Sequence, residues 1–206
     1  LFEKSELIVK LDRYMFEHAC RWYRSHLEQG GRPVSLAVNV SKAGLFQNDF
    51  VDYYTDIKDK YSIPDRVMEL EFTESILAAD TELFAELVVN LNARGFICSL
   101  DDFGSGYSSL NLLKNLPIDV LKLDILFFQK SRDIRRERIV VSNVINMAKE
   151  LDIKTIAEGV EDMDTVEFLR KAGCNVIQGY VFAKPMPQED FEHLLTDSQD
   201  GSFEGC

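Results

Sequence analysis

Phe96-Ile97-Cys98-Ser99-Leu100-Asp101-Asp102-Phe103-Gly104-Ser105-Gly106-Tyr107-Ser108-Ser109-Leu110 is the stretch whose reading decides the fold. It opens as a short apolar run, which reads as a buried strand, and arrives at two adjacent carboxylates. Side chains of neighbouring strand residues point to opposite faces. Asp101 and Asp102 therefore serve one site only where the strand is giving way to a loop. Gly104 and Gly106 then let the chain bend and approach a ligand closely. Two like charges side by side repel unless a proton or a cation relieves them. A divalent metal does this economically, because hard cations take carboxylate oxygens and one carboxylate can bridge two ions. Turn and helix-cap chemistry gives the same local pattern, so the rest of the chain has to decide.

On either side, strands and helices alternate. Apolar residues at helical spacing run through 5–29 (Leu7, Ile8, Leu11, Met15, Phe16, Ala19, Trp22, Tyr23) and stop at Gly30-Gly31. The run Val34 to Val40 reads as a strand, apolar on both faces apart from Asn39, as a parallel strand covered by helices should be. A helix over 47–60 is followed by the strand Val67 to Phe72 and then by Thr73-Glu74-Ser75. A helix over 80–93 leads into the strand before Asp101. A short helix over 107–115 precedes the strand Asp119 to Asp124. A clear helix over 133–150, a strand from Lys154 to Gly159, a helix over 162–171, a strand from Asn175 to Gln178 and a helix over 187–195 complete the order. Alternation of this kind means a parallel sheet. Six strands suit an open doubly wound sheet, whereas a closed barrel takes eight. No GxGxxG or P-loop lysine follows the first strand.

The 206 residues suit one domain, and the formal charge of −12 argues against a broad nucleic-acid face. No apolar run is as long as a membrane span, and no signal peptide opens the sequence. Cys20, Cys98, Cys174 and Cys206 are scattered with no CxxC pair, which suits a reducing compartment and argues against zinc. His18, His26 and His193 have polar neighbours and read as surface residues.

Asn39, Glu71, Asp101 with Asp102, Lys122 with Asp124, Glu158 and Gln178 each stand at or near the C-terminal end of a different strand. In a parallel sheet those ends share one edge, and in a barrel they ring the mouth that carries the active site. A self-satisfied salt-bridge network would also gather such groups. The inventory, though, is one of hard oxygen donors suited to Mg²⁺ or Mn²⁺. With a lysine to orient water and a glutamine to hold substrate, it is the set expected for two-metal phosphodiester hydrolysis.

Together these runs resemble the EAL domain, a bacterial cyclic-di-GMP phosphodiesterase family with a modified TIM barrel. The matching runs are Val38-Asn39-Val40-Ser41, Glu71-Phe72-Thr73-Glu74-Ser75, Asp101 to Leu110, Leu121-Lys122-Leu123-Asp124, Ala157-Glu158-Gly159-Val160-Glu161, and Gln178-Gly179-Tyr180 on to Pro185-Met186-Pro187. The resemblance implies an α/β, TIM-like (β/α) barrel over 1–195, incomplete at its N-terminus, with a flexible tail over 196–206. It implies hydrolysis of cyclic-di-GMP to linear pGpG with two Mg²⁺ or Mn²⁺ ions. Asn39, Glu71, Asp101, Asp102 and Glu158 would be the ligands, with Asp101 bridging the ions. Lys122 would contact the attacking water, and Lys122 and Glu158 are the candidates for taking its proton. Gln178, Glu161 and Asp124 would support the substrate. Glu74, Gly104, Gly106 and Ser108 would stabilise the Asp102–Ser109 loop, and that loop with its neighbouring helix would form a homodimer. A GGDEF or sensory domain upstream and a cytoplasmic location are implied as well. The Glu-Ala-Leu tripeptide that names the family is absent. Leu1-Phe2-Glu3-Lys4-Ser5 looks like the stretch that follows it, so the first strands and a further metal-binding glutamate are expected to be missing, with weakened turnover. The alternative is a catalytically silent cyclic-di-GMP receptor or protein-interaction module.

Overall fold

The computed structural model describes residues 6–76, 81–104, 113–124 and 133–197. Six strands run parallel and lie side by side in the order of the sequence: β1 (Leu36–Val40), β2 (Met68–Thr73), β3 (Ile97–Phe103), β4 (Val120–Leu123), β5 (Lys154–Ala157) and β6 (Val176–Ile177). A doubly wound sheet reverses its strand order at a switch point. This order never reverses, so the sheet is a run of six consecutive strands of a TIM-like barrel, curled and incomplete, with β1 and β6 as its edges.

The helices are α1 (Glu6–Glu28), α2 (Lys42–Leu45), α3 (Phe50–Lys60), α4 (Thr81–Ala93), α5 (Ile134–Glu150), α6 (Met163–Ala172) and α7 (Gln188–Asp197), with a 3₁₀ turn at Glu74–Ile76. Local chemistry sets their ends. Asp133 caps α5 by accepting from the backbone N–H groups of Arg135 and Arg136, and Asp162 caps α6 by accepting from Thr165. The last helix runs to Asp197, two residues past its expected end, where the Thr196 hydroxyl donates to the Glu192 carbonyl. Residues 198–206 and most of the helix expected over 107–115 lie outside the described residues.

Strand parity separates core from site. One set of alternate residues (Val38, Val40, Leu70, Phe72, Cys98, Leu100, Leu121, Leu123, Ala157) is buried in the hydrophobic core, together with Phe16, Tyr23, Tyr54, Val88, Leu91, Val141 and Ile145 from the helices. Each large side chain there contributes about 1.5–3 kcal/mol. The intervening residues face the other way, and they include Asn39, Glu69, Glu71, Ser99, Asp101 and Lys122. The expectation that β1 is covered on both faces is corrected here. Ala37 and Asn39 are exposed, and only the face of β1 that carries Val38 and Val40 is packed.

Candidate active site

At the C-terminal rim, strand register places the polar groups next to one another. Asn39 is level with Glu71 and Thr73 with Asp101. Between β3 and β4 the register slips: Leu100 pairs with Leu121, but Phe103 pairs with Leu123. Two residues, Asp101 and Asp102, therefore stand opposite one, Lys122. This is a bulge, and Asp102 absorbs it with φ of +57°, a left-handed conformation that Asp tolerates better than most residues. The Asp102 N–H donates to the Asp101 carboxylate at 2.9 Å. Gly104 follows at φ +100°, a value that favours glycine. The strand does not give way before the two aspartates, as expected. It carries them on a bulge, which breaks the alternation that would have sent one of them away.

Lys122 stands at the centre. It is 4 % exposed. Its Nζ donates to Glu71 at 2.5 Å and lies 2.7 Å from the Glu158 carboxylate and 3.8 Å from that of Asp101. Burial pulls the lysine pKa down, but Glu71 and Glu158 outweigh it and hold the ammonium above its ordinary value. The carboxylates respond in kind. Burial raises Glu158 to about 7, against the lowering effect of Lys122, with Asp101 and Glu71 adding repulsion. Burial also raises Asp102, and Asp101 and Asp124 raise it further; Asp124 shares a hydrogen bond with it.

Three carboxylates, those of Glu71, Asp101 and Glu158, thus lie within 4 Å of the Lys122 ammonium, with Asp102 and Asp124 next to one another beside Asp101. As arranged, no three histidine, cysteine, aspartate or glutamate side chains among the described residues form a ready metal cage. The common partner of Glu71, Asp101 and Glu158 is the Lys122 ammonium. The donor set nonetheless fits a hard divalent cation: carboxylate oxygens with an amide beside them, and more negative charge than the lysine neutralises.

Glu158 and Gln178 are joined by backbone. The Gln178 N–H donates to the Ala157 carbonyl at 2.8 Å, the Val160 N–H to the Gln178 carbonyl at 3.1 Å, and the Val181 N–H to the Val160 carbonyl at 3.1 Å. Gly179 lies in this interlock. A Cβ there would collide with the backbone N, C and O of Val160. Glu158, Glu161 and Gln178 line one cavity of about 670 Å³. Glu74 is buried in the turn just after β2. Gly106 and Ser108 lie outside the described residues.

Three supporting residues escaped sequence reading. Glu69 is buried one level below Glu71, and burial raises its pKa while a hydrogen bond from Ser99 lowers it. Asp12 of α1 accepts from the Ser41 N–H at 3.0 Å and the Ser41 hydroxyl at 2.5 Å, tying α1 to the chain two residues past Asn39. The alternation Met68-Glu69-Leu70-Glu71 signals Glu69 in retrospect. Nothing near Asp12 in the sequence signals its bond to Ser41.

The fold and the rim define a class: a parallel TIM-like barrel with a carboxylate–lysine cluster at the C-terminal ends of its strands. The chain belongs to the EAL domain family, whose model matches residues 1–185. It is 35 % identical over 189 residues to the bifunctional diguanylate cyclase/cyclic di-GMP phosphodiesterase MucR of Pseudomonas aeruginosa, covering 92 % of this chain and 28 % of MucR. Against the crystal structure of the EAL domain of Mycobacterium smegmatis DcpA the TM-score is 0.87 at 32 % identity, covering 93 % of this chain and 86 % of that one. Against the P. aeruginosa MucR phosphodiesterase in complex with c-di-GMP it is 0.84 at 35 % identity, covering 92 % and 77 %. The chain spans about a quarter of the length of the first curated relatives it matches.

Proposed function

We propose that this chain hydrolyses cyclic di-GMP to linear pGpG in a reaction that depends on two Mg²⁺ or Mn²⁺ ions. The observation that carries the reading is the buried Lys122 ammonium held by Glu71 and Glu158, with Asp101 beside it and Asp102 brought alongside by the bulge. Asn39, Glu71, Asp101, Asp102 and Glu158 would hold the ions. When bound, such ions supply Lewis-acid polarisation of the phosphoryl oxygens and a lowered pKa for water. Lys122 orients the attacking water and offsets negative charge as it develops. Lys122 is already an ammonium, held above its ordinary value against the pull of burial, so Glu158, which burial raises to about 7, would take the proton that water loses. The new bond is from water oxygen to phosphorus and the broken bond is from phosphorus to the 3′-oxygen, which leaves with a proton. Gln178, Glu161 and Asp124 hold the substrate.

The cysteines Cys20, Cys98 and Cys174 are free, which supports a reducing, cytoplasmic setting. No helix among the described residues is long and apolar enough to cross a membrane. We propose a homodimer through the Asp102–Ser109 loop and its neighbouring helix, and an upstream GGDEF or sensory domain, on the family resemblance alone.

The test is incubation with cyclic di-GMP and Mg²⁺ or Mn²⁺, with products separated by chromatography. Linear pGpG is expected, and chelation of the metal stops its formation. Binding without any pGpG would make the chain a receptor, and neither binding nor product would overturn the reading.

A further inference from the structure

Asp12 of α1 is a buried acid that the hydrolytic step leaves unused. It is 8 % exposed, and a buried carboxylate is costly to keep unless hydrogen bonds hold its charge. One oxygen, Oδ2, takes both Ser41 donors, the backbone N–H and the hydroxyl. A Cβ on Gly44 would come within 2.7 Å of that same oxygen, so the missing side chain at 44 makes room for the carboxylate. The Ser41 hydroxyl in turn accepts the Gly44 N–H at 3.0 Å. Burial raises the Asp12 pKa, and the two Ser41 bonds lower it.

The place of this bond on the sheet gives it a use. The Leu36 N–H donates to the Val67 carbonyl. Alternation therefore turns the N–H groups of Leu36, Val38 and Val40 toward β2, and those of Ala37, Asn39 and Ser41 away from it. β1 is an edge of the sheet, and no strand among the described residues pairs with it on that side. Asp12 accepts the Ser41 N–H there, standing in for a neighbouring strand one rung past Asn39. Asn39 is exposed and level with Glu71. Beyond β2, the next tie on the chain that carries it is the one to Asp12. The two residues also line one cavity, of about 780 Å³.

We propose that Asp12 is a positioning residue of the rim: through Ser41 it clamps the end of β1 and so holds the Asn39 amide level with Glu71, where the ions would bind. This rests on the metal-dependent reading given above. Asp12 acts only through Ser41 and would touch neither ion nor substrate. Partners of this kind, one bond removed from a ligand, typically change metal affinity by about 10- to 100-fold when lost.

Mn²⁺ titration followed by electron paramagnetic resonance tests the clamp without turnover. Asp12→Ala is expected to weaken one of the two ions about tenfold and to leave the other within about twofold. Asp12→Asn keeps an oxygen able to accept both Ser41 donors and returns the affinity to within about threefold. In an Asn39→Ala background, where that ligand is already gone, Asp12→Ala costs less than about twofold more. A loss of general stability would instead weaken both ions, or add in full in either background. In the metal-free chain, the Asn39 side-chain amide resonances are expected to move in Asp12→Ala and to return in Asp12→Asn. Should Asp12→Ala fail to fold, Ser41→Ala carries the same test: it keeps the backbone bond, loses the hydroxyl one and is expected to cost about threefold. Unchanged Mn²⁺ affinity, a full additional loss in the Asn39→Ala background, or Asn39 resonances that stay in place overturn the clamp and leave the metal-dependent reading standing. No Mn²⁺ bound by the unsubstituted chain overturns both.

Discussion

Asp101→Asn is expected to abolish measurable hydrolysis of cyclic di-GMP, a loss of about 10³-fold or more, while the protein stays folded and becomes no less stable. The substitution separates charge from shape. The Asp101 carboxylate accepts the Asp102 N–H, and an amide oxygen in the same place accepts it equally well, so the bulge survives. What disappears is one negative charge among Glu71, Asp101, Asp102, Asp124 and Glu158. Asp101 helps to raise the pKa of both Asp102 and Glu158, which marks it as a source of repulsion in the folded chain. Its pairing with Lys122, at 3.8 Å, is the longest of the three and the least costly to lose. Removing a group that opposes folding but serves the site trades activity for stability in the usual direction. Turnover and unfolding midpoint measured on the same preparation decide the matter. Near-normal turnover, or a clear drop in stability, would contradict the role assigned to this carboxylate.

Gly179→Ala is expected to destabilise the chain by about 1–3 kcal/mol and to raise KM for cyclic di-GMP by at least about tenfold. The reason is backbone rather than side chain. The added methyl group meets the N, C and O of Val160, none of which can swing aside as a side chain would. Val160 is also the residue whose N–H and carbonyl knit the segment after Glu158 to the segment around Gln178. Relief of the clash has to separate these two segments, and with them Glu158, Glu161 and Gln178 on the cavity wall. Denaturant unfolding and steady-state kinetics read the two effects independently. A variant with unchanged midpoint and unchanged KM would show that the interlock positions nothing.

Much of this architecture was legible in the sequence for simple reasons. Helical and strand periodicities differ enough that six strands and the longer described helices between them could be placed within a few residues, as β2 and α5 show, although the short α2 was not. The run Met68-Glu69-Leu70-Glu71 also displays the parity that sends acids to one face and apolar groups to the other. The bulge at Asp101 and Asp102 was not legible, because it is a relation between β3 and β4 and neither strand specifies it alone. The same holds for Lys122, whose partners Glu71, Asp101 and Glu158 come from three other parts of the chain. Whether β1 is an inner or an edge strand is likewise a property of the assembled sheet. Its apolar sequence reads as covered, yet Ala37 and Asn39 are open. Between barrel and doubly wound sheet, spacing left both possible, and only the observed strand order decides.

The central claim is that carboxylates from separate strands, now gathered about Lys122, share divalent cations at that rim. Titration with Mn²⁺, following the free ion by electron paramagnetic resonance, addresses it without substrate or product. The account predicts two ions bound per chain, displaced by Mg²⁺, with binding at both positions sharply weakened by Asp101→Asn. Absence of bound Mn²⁺ at millimolar concentration, or the same binding in the Asp101→Asn variant, would contradict it.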